Sequence, residues 1–170
     1  MSGKVKTNAM RRLDAAKVPY EIKEYVPDEN DLSGVNIASQ IGLDPAMVFK
    51  TLVTRGDKTG ITVFCIPADL EIDLKAAAGA TGNKRLEMLH TSELLATVGY
   101  VRGACSPIGM KKNFPVYIDR SALDHEKITV SSGMKGMQLL VPTEKLIEFI
   151  GAKLCAVTTK RQRKILICRR

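Results

Sequence analysis

Two apolar runs, residues 48–54 and 61–66, flank a segment of turn formers, Gly56-Asp57-Lys58-Thr59-Gly60. Both runs are rich in β-branched and aromatic residues, which favour extended backbone. A short polar loop with a glycine at each end lets the chain reverse, so the pattern predicts an antiparallel hairpin. Such a hairpin must bury its apolar side against further strands or helices.

The other segments are short and sharply punctuated. Residues 4–17 carry Val5, Ala9, Leu13 and Ala16 at helical spacing, and Pro19 ends that helix. Residues 20–25 alternate as a strand, before an acidic loop from Pro27 to Asp31. Ser33 is placed to cap a helix that Gly42 ends, and Asp44-Pro45 opens a further helical turn. Asp73 caps an alanine-rich helix closed between Gly79 and Gly82, and Thr91 caps one through Val98 that Gly99 ends. Strands are expected at 86–89, 114–118, 128–131 and 138–141, with Gly133 and Gly136 in the last turn. Pro142-Thr143 begins a helix ending at Gly151, and 154–157 and 165–168 are terminal strand candidates. Hairpins mixed with short helical connections do not make a βαβ repeat. They predict one α/β (mixed) domain over residues 1–170, a curved sheet with helices packed around it.

Lys and Arg outnumber Asp and Glu by 26 to 18, a net charge of +8 that favours an anionic partner. Much of the excess lies in the final stretch, at Lys160, Arg161, Arg163, Lys164, Arg169 and Arg170. That stretch reads either as a solvated tail strand or as a phosphate-contacting stripe. The chain has 4 cysteines, none in a CxxC pair, which fits buried free thiols in a reducing compartment. His90 and His125 are far apart in sequence, so no metal set is expected, and no cofactor motif is found. Neither a signal-peptide core nor a membrane-spanning stretch is seen, and a cytoplasmic location is expected.

Three places could carry chemistry. Lys50 is a cation inside the otherwise apolar segment 47–53. It either points to solvent from an alternating strand or stands on a pocket wall, where a fixed charge holds a phosphate or a developing oxyanion. The loop from Gly99 to Lys112 contains Gly103, Ser106 and Gly109 and ends in two lysines. It is either a surface loop or a cradle whose backbone N–H groups approach a ligand. The segment Ser131-Ser132-Gly133 is either a hairpin turn or a source of hydroxyls and amides for a ligand. No Ser-His-Asp set or glycosidase-type carboxylate pair stands out, and nothing in sequence near Cys105 would activate its thiol.

Taken together, Val48-Phe49-Lys50-Thr51-Leu52, Gly103-Ala104-Cys105-Ser106-Pro107-Ile108-Gly109-Met110-Lys111-Lys112 and Val130-Ser131-Ser132-Gly133 resemble the YbaK/EbsC family in order and spacing. The resemblance runs from the first helix to about residue 155. It implies a barrel-like mixed sheet and trans-editing hydrolysis of mischarged aminoacyl-tRNA, chiefly Cys-tRNA(Pro), with prolyl-tRNA synthetase as a working partner. By position it implies catalytic roles for Lys50 and Gly103 and substrate contacts from Tyr25, Thr51 and Ser131, to which the loop adds Ser106 and Gly109. Three positions depart from the family pattern: Leu32 for an aromatic residue, Gln138 for an aspartate and Ser132 for a glycine. They leave two other readings open, an Ala-tRNA(Pro) deacylase and a tRNA-binding module without turnover.

Overall fold

A computed structural model describes residues 5–160. The chain opens with helix α1 (Asn8–Ala15) and strand β1 (Glu21–Glu24), then α2 (Gly34–Ile41) and a short 3-10 turn at Pro45–Met47. The hairpin follows as β2 (Phe49–Gly56) and β3 (Gly60–Pro67), and then β4 (Leu70–Ile72), α3 (Leu74–Thr81), β5 (Leu86–Met88) and α4 (Thr91–Val98). After a long loop come β6 (Val116–Asp119), a 3-10 turn at Arg120–Asp124, β7 (Lys127–Ser131) and β8 (Met137–Pro142). The described chain closes with α5 (Thr143–Ile150), β9 (Lys153–Cys155) and β10 (Thr158–Lys160).

The fold is mixed α/β. Its strands form three hydrogen-bonded sheets, ordered β5-β2-β3-β6-β9, β1-β8-β7 and β10-β4. Among the described residues they do not close into a barrel. The two larger sheets meet at one parallel bridge, Val48 to Thr129. Within the first, β2 and β3 are antiparallel while β3, β6 and β9 run parallel.

Strand β3 explains the apolar run at 61–66, which only Thr62 interrupts. Val63 and Cys65 enter a core shared with Met10 and Leu13 of α1, Leu139 of β8 and Leu146 of α5. The alternate residues Phe64 and Ile66 face the other way, against Ala77 and Ala78 of α3 and Val157. A strand buried on both faces loses the polar half of its alternation.

The predicted caps at Ser33, Asp44 and Asp73 form, each side chain accepting a hydrogen bond from a backbone N–H of the first turn. Two helix starts differ from expectation. Thr7 caps α1 by accepting from the Met10 N–H, so the helix begins late and its buried face is Ala9, Met10 and Leu13, with Val5 and Ala16 exposed. In α4 the capping position is His90, which makes no side-chain cap bond, and Thr91 is already helical. The tail residues 161–170, with the strand expected at 165–168, Cys168 and most of the basic cluster, lie outside the described residues.

Asp57 shows how the hairpin turn is tied to the rest of the sheet. Its carboxylate accepts from the backbone N–H groups of Lys84 and Arg85 at 3.0 and 3.2 Å. The Arg85 bond first, then that of Lys84, holds its pKa below the ordinary 3.8. A lowered folded-state pKa stabilises the fold above the unfolded value and is lost as pH falls through the folded one. Asp57→Asn is therefore expected to lower the urea midpoint at neutral pH. The difference from wild type should shrink as pH falls below 3.8, which parallel urea titrations would measure.

Candidate active site

The Val48–Thr129 bridge sets the site. One alternation further along each strand come Lys50 and Ser131, and both line the same cavity at this seam. Ser131 in turn pairs across β7 and β8 with Gln138. All three line a cavity of about 270 Å³, together with Leu32, Thr51, Arg102, Gly103 and Cys105. No carboxylate is among its described lining residues.

Each wall has a local cause. Lys50 is half-buried, between Phe49, which sits in the core, and Thr51, whose hydroxyl lies 4.0 Å from the Cys65 sulfur. Ser131 Oγ accepts from the Gly133 N–H at 3.1 Å. Gln138 is buried and its Oε1 accepts from the Thr129 hydroxyl at 3.2 Å, which fixes the amide. Gly103 has φ of +87°, and a Cβ there would stand 3.4 Å from Lys135 Cε and 3.5 Å from a Leu32 methyl. It is the left-handed backbone that favours glycine here, since those two contacts are at ordinary van der Waals distance. Lys135 is held from the far side by an ion pair with Glu29 at 3.0 Å.

The other expected residues divide. Tyr25 lines an adjoining recess that shares Leu32, Ile37 and Gly103 with the cavity, and its N–H donates to the Gly136 carbonyl at 2.9 Å. Ser106 and Gly109 do not line the cavity. Ser106 is fully buried and accepts from the Ile108 N–H within the loop. Gly109 faces Asn8 and Tyr100 instead, where a Cβ would meet Asn8 Nδ2 at 2.7 Å. The loop has used these two residues to shape itself. Cys105 reaches the cavity wall, but burial pushes its thiol up to about 12, so it stays protonated at neutral pH. Arg102 and Leu32 complete the walls without any sequence signal that marked them as ligand contacts.

A larger cavity, of about 510 Å³, lies elsewhere, between residues 123–127 and 142–145. Asp124, Glu126 and Glu144 line it beside Lys127 and Lys145, so its charges are of both signs, whereas the charged lining of the smaller one is Lys50 and Arg102.

The aminoacyl-tRNA editing domain model matches residues 33–149, a span that contains Lys50, Gly103, Ser131 and Gln138. The chain is 46% identical over 155 residues to an Enterococcus faecalis protein described as "Putative Cys-tRNA(Pro)/Cys-tRNA(Cys) deacylase EbsC", covering 91% of this chain and 94% of that protein. It is 28% identical over 99 residues to the proline–tRNA ligase of Shouchella clausii, covering 58% of this chain and 17% of the ligase. In fold it is similar to a crystal structure described as "a putative trans-editing enzyme for prolyl tRNA synthetase", with TM-score 0.76 and 19% identity over 91% of this chain and 99% of that one. A match spanning every described lining residue of the cavity except Leu32, joined to 46% identity with one relative over 91% of the chain, makes this chain a member of the aminoacyl-tRNA editing domain family.

Proposed function

We propose that this protein hydrolyses mischarged aminoacyl-tRNA in trans, with Cys-tRNA(Pro) as its substrate. The observation that carries this is the seam cavity, whose lining includes Lys50, Ser131 and Gly103. Its cationic, donor-rich wall suits the acceptors of an aminoacylated 3′ end: phosphate oxygens, ribose oxygens and the ester carbonyl. The likeness to the Enterococcus deacylase supports the cysteinyl substrate.

An aminoacyl ester needs little activation, and the cavity offers no ionised protein thiol. The substrate's own thiol serves as nucleophile: its sulfur bonds to the carbonyl carbon, the carbon–oxygen ester bond breaks, and the thiol proton passes to the departing ribose oxygen. The cysteine leaves as a four-membered thiolactone, and water then adds to its carbonyl carbon, breaks the carbon–sulfur bond and returns the thiol, which completes the hydrolysis. Oriented intramolecular attack can reach effective molarities of about 10⁵–10⁸ M. The protein's task is then to fold the aminoacyl group and stabilise the oxyanion. Backbone N–H groups of the Gly103 loop orient the carbonyl, Lys50 binds the terminal adenosine phosphate or the aminoacyl end, and Thr51, Ser131 and Tyr25 shape the bed. Residues 1–170 act as one domain, its sheets curving around the cavity. It works in the cytoplasm beside prolyl-tRNA synthetase.

Deacylation of Cys-tRNA(Pro) by the purified protein, followed against the buffer rate, tests the proposal. A Cys105→Ser variant separates the two candidate thiols. It is expected to retain most of the wild-type rate, since the Cys105 thiol is protonated at neutral pH. Loss of activity in that variant, with an unchanged melting curve, would move the nucleophile from the substrate to the protein.

A further inference from the structure

The loop after α4 lines two cavities, and the proposed function uses only one. Arg102, Gly103 and Cys105 face the seam cavity. Pro107 to Met110 and Lys112 face a second cavity of about 240 Å³, closed on its other sides by Arg12 of α1 and by Phe149 and Ile150 of α5. Arg12, Lys112 and Asn113 supply its polar groups, and no carboxylate is among its described lining residues.

The two cations are uncommitted to ion pairs among the described residues: within 4.0 Å the pairs are Lys6–Asp14, Lys23–Glu21, Arg55–Glu93 and Lys135–Glu29. Asp14, the carboxylate of α1, is thus taken by Lys6. The rim is fixed by packing. The Tyr100 hydroxyl donates to the Ile108 carbonyl, and the Asn8 side chain donates to the Gly109 carbonyl at 3.4 Å. Arg12 and Lys112 are exposed, so a large anion can reach both.

We propose that the cavity between Arg12 and Lys112 is a second anion site, which takes a backbone phosphate of the tRNA acceptor strand while the aminoacylated end occupies the seam cavity. This rests on the editing reading. One short loop lines both cavities, with Arg102, Gly103 and Cys105 at the first and Pro107 to Met110 and Lys112 at the second, so a polyanion held by its end in the first has the second cavity's cations within a few residues of its anchor. Paired cations around a phosphate contribute affinity by charge-assisted hydrogen bonds and counterion release, without reading sequence.

The test uses the full chain with Arg12→Ala and Lys112→Ala combined. Uncharged tRNA(Pro) binding is measured across a salt series, and kcat and KM are measured on Cys-tRNA(Pro) and on cysteinyl-adenosine. The log affinity against log salt slope should become shallower by about 1 for each lost phosphate contact. KM for Cys-tRNA(Pro) should rise about tenfold or more, with kcat little changed, and cysteinyl-adenosine should lose much less. Arg12→Lys should recover part of the slope, which a purely structural defect would not allow. Wild-type slope and KM in the double variant, in a protein that cleaves Cys-tRNA(Pro), would overturn the phosphate site and leave the editing function standing. Equal losses on tRNA and cysteinyl-adenosine would also overturn it. A wild-type protein that neither binds nor cleaves these substrates overturns both readings.

Discussion

Lys50→Ala is expected to slow Cys-tRNA(Pro) deacylation by about 10²–10³-fold, the range seen when one preorganised donor to a developing oxyanion is removed. The expectation follows from where the seam sets the side chain. Lys50 is half-buried on a wall with Thr51, Ser131 and Gln138. Away from bulk water, a fixed positive charge acts more strongly on a phosphate or an oxyanion than it would at the surface. Lys50→Arg separates the two roles proposed for the cation. If the residue holds a phosphate, arginine retains the contact and both constants stay near wild type; if it meets the oxyanion, the displaced charge leaves binding intact and the loss falls on kcat. Single-turnover deacylation with matched binding measurements distinguishes these. Equal rates for Lys50→Ala and wild type would remove Lys50 from the mechanism.

Phe64→Ala is expected to destabilise the protein by about 3–5 kcal/mol, the usual cost of emptying a buried phenylalanine site. Phe64 is fully buried on the face of β3 opposite the core that holds Val63 and Cys65. Its ring stacks on Tyr117 with centroids 5.4 Å apart, and it packs with Ile66, Ala77, Ala78, Leu86 and Val157. Whole-domain stabilities are about 5–15 kcal/mol, so this single change consumes much of the total. In urea the midpoint should fall sharply with little change in slope. Leu123→Ala is the control: that side chain is 51% exposed, and its loss should stay within about 0.5 kcal/mol. A small loss at Phe64 would mean that α3 collapses onto β3 and refills the space.

The strength of the sequence signal varied with the distance over which each feature forms. The β2–β3 hairpin and the caps at Ser33, Asp44 and Asp73 are local, and turn chemistry and capping side chains announce them. The β4–β10 pair gave no such signal, because Leu70–Ile72 and Thr158–Lys160 are too short for periodicity to register. The seam at Val48 and Thr129 depends on a parallel contact between segments far apart in the chain, which residue patterns along one segment do not encode. Lys50 and Gly103 could be singled out because a lysine in an apolar run and a glycine in a basic loop are locally anomalous. Their meeting with Ser131 and Gln138 could not. Ser106 and Gly109 stood out for the same local reason as Gly103, yet they serve the loop's own turns and its packing on α1. Gln138 lies among Leu139, Leu140 and Val141 in a buried strand, and its contact with Thr129 comes only from the β7–β8 register.

The central claim is that the cavity selects a cysteinyl ester whose own thiol does the attack. Initial rates on Cys-tRNA(Pro) and Ala-tRNA(Pro), measured side by side at equal concentration, test it most directly. The account predicts rapid loss of the cysteinyl ester and loss of the alanyl ester close to the buffer rate. Equal cleavage of both, or cleavage of the alanyl ester alone, would contradict a thiol-driven mechanism and make the protein a deacylase of different specificity. If neither ester is cleaved faster than in buffer, the chain keeps the fold of its family without the turnover.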